Sequence, residues 1–536
     1  MATNTESKTL RGLIFMRILL AALLALVLAV PAHAQSWFEA ETAHFIVKSR
    51  DSEEATRHFA EQMERFDRGL RFLNGLDESH VETSRANKPM IYRFGDYIAM
   101  SRMYGQADAG IGGFFISRAG ASVAFAPARR QRSNNSRERR DPTDSIEQVL
   151  LHEYTHYFMM QNFPAAYPRW YSEGYAEMIS TMRFNDDGSF HIGDPPQSRG
   201  TSIAQLPTSR LEDMLDADRV LTGYDAYQHY VSGWLFTHYL NFDPAREAKL
   251  REFLVALGNG EDSLVAARRI FGDLADVQRD LARYLDRPFP GYDVRPNITT
   301  LPQVTMRRIE SAEADLIDSE MALWRGVTRE QARDIAVSLR LAVQQQPDSS
   351  YAHTLLAEAE HDSRQYDAAD LAASRAIELD PQNQRAWLYR AYIALERAKT
   401  DPTQYDVARQ HLQWARRLDL DDPRPLIAYY QSYYDQTAGA DIPQQAIVAL
   451  ESAYEVSGND IPFRLLLGRQ LLIEERFTEA RVVLLPALYS GHSYEEAEAE
   501  EFTPERLFAA IDARDRAAAL ELINKVLEPE DEDDEG

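Results

Sequence analysis

His152-Glu153-Tyr154-Thr155-His156 places two imidazoles four residues apart with a carboxylate beside the first. On a helix of 3.6 residues per turn, an offset of four puts both rings on one face, where their nitrogens can converge on one cation. Glu153 flanks that face and can take a proton from a water held there, which pairs a zinc site with a general base. Three protein ligands and one open position are what a catalytic zinc requires, so a third donor has to come from elsewhere in the chain.

The run Pro168-Arg169-Trp170-Tyr171-Ser172-Glu173-Gly174-Tyr175-Ala176-Glu177-Met178 offers it. Glu173 is the candidate third ligand. Glu177 lies one helical turn later on the same face, placed to accept the free N–H of a ligand imidazole and fix its orientation, or to be the ligand itself. Gly174 and Ala176 are small, as close packing on the helix that carries the histidines would demand. That helix has its own signals. Asp144 and Glu147 read as a capping box after Pro142, an apolar stripe runs through Ile146, Val149, Leu150, Tyr154 and Tyr157, and Pro164 ends the run.

H-E-Y-T-H followed by P-R-W-Y-S-E-G-Y-A-E resembles the gluzincin metallopeptidases, the thermolysin-like clan. The W-x-x-E-G-x-A string is similar to that of the clan's large aminopeptidases and of its peptidase MA-like branch. The resemblance spans roughly residues 36–290, with specific motifs at 148–178. It implies an α+β zincin-like domain that hydrolyses peptide bonds, with Zn2+ held by His152, His156 and Glu173, Glu153 as base and Glu177 orienting a ligand histidine. The spacer before Glu173 is shorter than in the aminopeptidases, and their motif for gripping a substrate amino terminus has no match, so endopeptidase is the activity implied. The resemblance further implies a helix with a tyrosine near its start that donates to the oxyanion: Tyr230, or alternatively Tyr227 or His229. It also implies a small sheet over the zinc helix, whose edge strand, supplied by the Phe114–Phe125 hairpin, pairs with extended substrate.

Around these residues the chain reads as two or three domains, since 536 residues exceed one compact core. Lys8, Arg11 and Arg17 precede an apolar run from Ile18 to Val30 and an Ala32-His33-Ala34 cleavage site, a bacterial-type signal peptide over 1–34. The expected location is therefore periplasmic or secreted, with no membrane span left after cleavage. No cysteine occurs, which excludes thiol catalysis, thiolate ligands and disulfides. A formal charge of −26 argues against nucleic-acid binding. Against that background, six arginines crowd residues 129–140 just before the histidine helix, a loop able to shield or gate the cleft.

From 36 to 128 the patterns are a strand at Ala43–Lys48, an amphipathic helix at Ser52–Leu73, a strand at Met90–Arg93 and a hairpin across Gly110–Pro127. Beyond 330, small residues recur in a tetratricopeptide pattern of 34-residue helix pairs. With Pro381 at position 32, Ala369 and Ala376 fall at positions 20 and 27, and Ala408/Ala415, Ala446/Ala453 and Ala480/Ala487 repeat the pair. The expected domains are thus a metallopeptidase domain over 35–295, a connector over 296–330, an all-α tetratricopeptide solenoid over 331–500, capping helices over 501–526 and a disordered acidic tail over 527–536. Such a solenoid leaves a groove for a protein partner. A second expectation is a weak or inactive metallopeptidase-fold scaffold whose repeats bind envelope proteins for quality control or assembly.

Overall fold

The structure, a computed structural model, describes residues 36–76, 83–105, 112–128, 143–185, 187–196, 209–216, 223–296, 302–489 and 503–527, without the side chains of 143–147, 223–227 and 487–489. The leader, the arginine-rich loop and the acidic tail beyond Leu527 lie outside them, as do the side chains of the capping box, Tyr227 and Ala487; the histidine helix itself begins at Thr143, one residue before the expected N-cap Asp144.

Alternation in short strands builds a sheet with two different faces. Strands β1 (Phe38–Glu41), β2 (Ile46–Ser49), β3 (Met90–Arg93), β4 (Phe114–Ile116), β5 (Val123–Ala126) and β9 (Thr305–Arg308) form six strands in the order β4-β5-β3-β2-β1-β9. β2, β3 and β5 run parallel, and the outer pairings are antiparallel. The expected strand at Ala43–Lys48 is in fact β2, shifted toward its C-terminal end and preceded by β1. Val47, Ile91 and Ala124 point to one face, where helix α1 (Glu53–Leu73) buries Phe59, Met63, Phe66 and Leu70 against them. Ile46, Tyr92, Val123 and Phe125 point to the other, into a second core. Parallel strands covered on both faces need continuous apolar runs, and β3 and β5 are buried throughout.

The first face also carries α3 (Thr143–Asn162), α4 (Arg169–Ile179) and α6 (Gly223–Asn241); α2 (Tyr97–Tyr104) precedes α3 in the chain, and α5 (Leu211–Leu215) lies between α4 and α6. Then come α7 (Pro244–Gly258), α8 (Ser263–Phe271), α9 (Leu274–Leu285) and a small antiparallel sheet of β6 (Arg183–Phe184), β7 (Phe190–Ile192) and β8 (Tyr292–Val294).

The expected connector does structural work. β9 extends the main sheet by pairing with β1, Arg307 opposite Glu39. After a short turn, α10 (Ser311–Ala314), comes α11 (Ile317–Arg325), whose Ile317 and Met321 complete the core on the second face. An all-α solenoid follows as helix pairs: α12 (Arg329–Gln345) after α11, α13 (Ser350–Asp362) with α14 (Tyr366–Leu379), α15 (Gln384–Ala398) with α16 (Gln404–Leu418), α17 (Arg424–Thr437) with α18 (Gln444–Ser457), α19 (Ile461–Ile473) with α20 (Phe477–Tyr489), then α21 (Pro504–Asp512) and α22 (Arg516–Leu527). Ala369, Ala376, Ala408, Ala415, Ala446, Ala453 and Ala480 are all fully buried at the helix crossings the repeat spacing assigns them.

The first helix of each pair turns toward the sheet. The Lys48 Nζ of β2 sits 2.7 Å from the Glu320 carboxylate of α11, both buried, and 5.7 Å over the Tyr351 ring of α13. Arg385 of α15 lies 3.7 Å from Glu320 and pairs with Glu358 of α13. Asn87 donates to the Asp421 carbonyl ahead of α17 at 2.8 Å, and Ala119 N–H to Asp460 at the head of α19 at 2.7 Å. Part of the solenoid's surface is therefore engaged by the chain's own sheet, because α11 brings the first pair directly onto the apolar second face.

Candidate metal centre

Tyr154, the middle residue of the histidine motif, anchors α3. Its ring is buried among Phe45, Phe66 and Phe158, and its hydroxyl donates to Asp67 Oδ1 of α1 at 2.7 Å. Asp67 is held in turn by Arg71 Nε at 2.6 Å. With Leu150, Tyr154 and Phe158 committed to the core, His152, Glu153 and His156 stand on the opposite side of the helix.

α4 starts at Arg169 after Pro168 and brings Glu173 to the pair of rings. His152 Nε2 and His156 Nε2 are 3.1 Å apart, His152 Nε2 lies 3.2 Å from Glu173 Oε2, and His156 Nε2 lies 3.7 Å from Glu173 Oε1. The ligand atoms of a tetrahedral zinc with bonds of 2.0–2.1 Å stand about 3.3 Å from one another. Two imidazole nitrogens and a carboxylate oxygen at these separations suit a small divalent cation, and these three residues form a group able to hold one.

Electrostatics point the same way. Glu173 is 1% exposed, and a buried carboxylate demands a positive charge nearby. Burial opposes charging of the His152 ring, yet the hydrogen bond and charge of Glu173, with Glu177 and Glu153 behind them, outweigh it and raise His152 to about 9. The pocket is built to stabilise a cation.

The remaining nitrogens are also engaged. Glu177 Oε1 lies 3.7 Å from His152 Nδ1, the side of the ring turned away from Glu173, so the two glutamates divide into one for each ring nitrogen. Ser172 Oγ is 3.1 Å from His156 Nδ1, a partner the motif reading missed although it immediately precedes Glu173. When Nε2 faces the cation, Nδ1–H donates to that hydroxyl.

Gly174 does not face α3 as the sequence suggested. A methyl group there would collide with the Gly233 carbonyl and Thr237 Oγ1 of α6, and one at Gly233 would come within 2.6 Å of the Trp170 carbonyl. The small residues let α4 and α6 cross backbone to backbone, since α3 meets α4 through its longer ligand side chains. Tyr230 stands half-buried on α6 a turn before Gly233, and His229 is buried beside it. Neither is among the residues lining the cavity at the metal centre, whereas Glu153, His156, Ser172 and Glu173 are.

That cavity, of about 170 Å³, opens beside β4 and is completed by Asn459, Ile461 and Pro486 of the last repeat. Nothing in the local sequence marks those three, because they reach the site only through the wrapping of the solenoid.

No family model matches the chain, and no curated protein does. Among solved structures, MamA residues 41 to the end from Desulfovibrio magneticus RS-1 is 16% identical, with a TM-score of 0.27 over 34% of this chain and 97% of that one. A MamA RS-1 double mutant gives the same figures. A structure titled as a functional characterisation of Pseudomonas aeruginosa pilF is 23% identical, with a TM-score of 0.31 over 41% of this chain and 92% of that one.

Proposed function

We propose that this chain is an exported zinc-dependent endopeptidase of zincin-like fold, with His152, His156 and Glu173 as ligands. The observation that carries it is the meeting of those three donors from two helices, with His156 and Glu173 opening onto the same cavity as Glu153. Bound there, zinc would act as a Lewis acid on a water and on the scissile carbonyl. Glu153 takes the proton as the water oxygen bonds to the carbonyl carbon. It then delivers that proton to the amine as the C–N bond breaks. Ser172 and Glu177 hold the two rings in register. Tyr230 of α6 is the proposed donor to the oxyanion.

The test is Glu153→Gln, an isosteric change that leaves the metal ligands untouched. Peptide-library cleavage should fall by at least about 10²-fold, the low end for loss of a general base, with zinc retained. Cleavage equal to wild type would remove Glu153 from the reaction.

A second reading, a scaffold acting through its repeats on envelope proteins, is favoured by Leu371, Trp414 and Leu420, which stand exposed on the solenoid. In that case Glu153→Gln would leave the biological role of the protein intact.

A further inference from the structure

We propose that the last repeat walls the substrate pocket, so that Ile461 and Pro486 of the solenoid set the size and apolar character of the side chain accepted beside the scissile bond. This deepens the peptidase reading and rests on it.

The cavity has two sides. Most of its polar groups, Glu153, His156, Arg169, Ser172 and Glu173, come from α3 and α4, with Ser117 and Asn459 added where the strand edge meets the solenoid. Its apolar lining comes from Phe115 of β4, from Tyr157, Met159 and Met160 of α3, and from Ile461 and Pro486 at the head of α19 and within α20. A space of about 150 Å³ lined by apolar side chains accommodates a benzene ring, so this cavity matches one large apolar side chain. β4 is the terminal strand of its sheet, and an extended peptide paired with it would lie beside that opening.

The wall is fixed, not draped. Asn459 accepts from Ser117 Oγ at 2.9 Å through its carbonyl, and its backbone N–H donates to Gln161 Oε1 of α3 at 3.2 Å. Arg464, fully buried, donates to the Met160 carbonyl at 3.0 Å and to the Val483 carbonyl of α20 at 3.2 Å. One corner of the solenoid is thereby tied to the strand edge and to the end of the histidine helix together. A residue held this way selects by shape, because it cannot yield to a larger guest.

The experiment uses full-length zinc-loaded protein as wild type, Ile461→Trp and Ile461→Ala, each checked for an unchanged melting temperature. Cleavage is read on peptides that differ only in Phe or Ala beside the scissile bond. Binding of the same peptides is read calorimetrically in the Glu153→Gln background. Ile461→Trp should cut the Phe-over-Ala preference by at least about tenfold, the scale of one misfit group in an apolar pocket, while Ile461→Ala extends acceptance toward Trp. Cleavage whose preference ignores both substitutions overturns the wall. Binding that discriminates in this way without turnover supports the wall and sinks the enzyme. Neither binding nor cleavage by wild type overturns both.

Discussion

At the scale of single residues, the centre is an argument about charge. Glu173 is buried beside two imidazoles, and His152 is raised to about 9 to balance it. A divalent cation supplies that balance without the proton, and binding one must release the proton. Glu177 is the residue through which this tuning can be read. Its carboxylate, 3.7 Å from His152 Nδ1, is too distant for a hydrogen bond but close enough to bias the ring's tautomer. Glu177→Gln should weaken zinc affinity by about 10–100-fold, measured by competition with a chelator. An unchanged affinity would show that Glu177 does no more than fill space. The pairs His152/His156 and Glu173/Glu177 were legible in the sequence because helical spacing is local; that the two pairs meet rested on the W-x-x-E-G-x-A motif, since no local offset spans residues 156 to 173. Ser172 was overlooked, although the same offset logic places it beside Glu173. Gly174 was read correctly as a close-packing residue and given the wrong neighbour, since smallness reveals that something approaches but not what.

At the scale of elements, strands with strong alternation were readable and weak ones were not. Met90–Arg93 and the Phe114/Phe125 hairpin declared themselves, and the helix expected over Ser52–Leu73 runs from Glu53 to Leu73 with Ser52 as its N-cap. β9, Thr-Met-Arg-Arg, lacks an apolar pattern because it is an outer strand, and its pairing with β1 joins residues 38–41 to residues 305–308. Helix α6 shows how burial leaves a pH signature. His238 is fully buried, with Nε2–H donating to the Gly193 carbonyl at 3.0 Å and Nδ1 accepting from the Tyr284 hydroxyl at 2.8 Å. Burial pushes it down to about 4. The unfolded chain, near pH 6.5 for this group, then binds the extra proton first. Its contribution is complete above about pH 6.5 and is lost as pH falls toward 4, at a cost of about 3 kcal/mol. Denaturant midpoints of the metal-free protein should drop across that window, and His238→Gln should flatten the drop. A slope unaltered by the substitution would assign it to other groups.

At the scale of the whole molecule, the solenoid and the sheet form a single body. The repeat pattern was visible because identical crossings need identical small residues, and Ala369, Ala376, Ala408 and Ala415 meet that need. Its engagement with the sheet was not, because a contact such as Lys48 with Glu320 joins residues far apart in sequence. Losing one member of a buried pair that leaves the other stranded typically costs about 3–5 kcal/mol, and Arg385, 3.7 Å from Glu320, relieves part of that, so Lys48→Met should destabilise the protein by up to about 3 kcal/mol. Adding Glu320→Leu should restore much of it, as equilibrium unfolding would show; a single substitution without effect would deny that the two halves lean on this contact. The joined body also explains how a repeat placed last in the chain comes to line a cavity built from its first half.

The central claim, that two helices deliver three donors to one zinc ion, is tested most directly by metal content. Purified full-length protein, loaded with zinc and dialysed, should hold one zinc per chain, and His156→Ala should hold none while keeping its fold by circular dichroism. Stoichiometric zinc that survives His156→Ala, or wild-type protein that retains none, would contradict it.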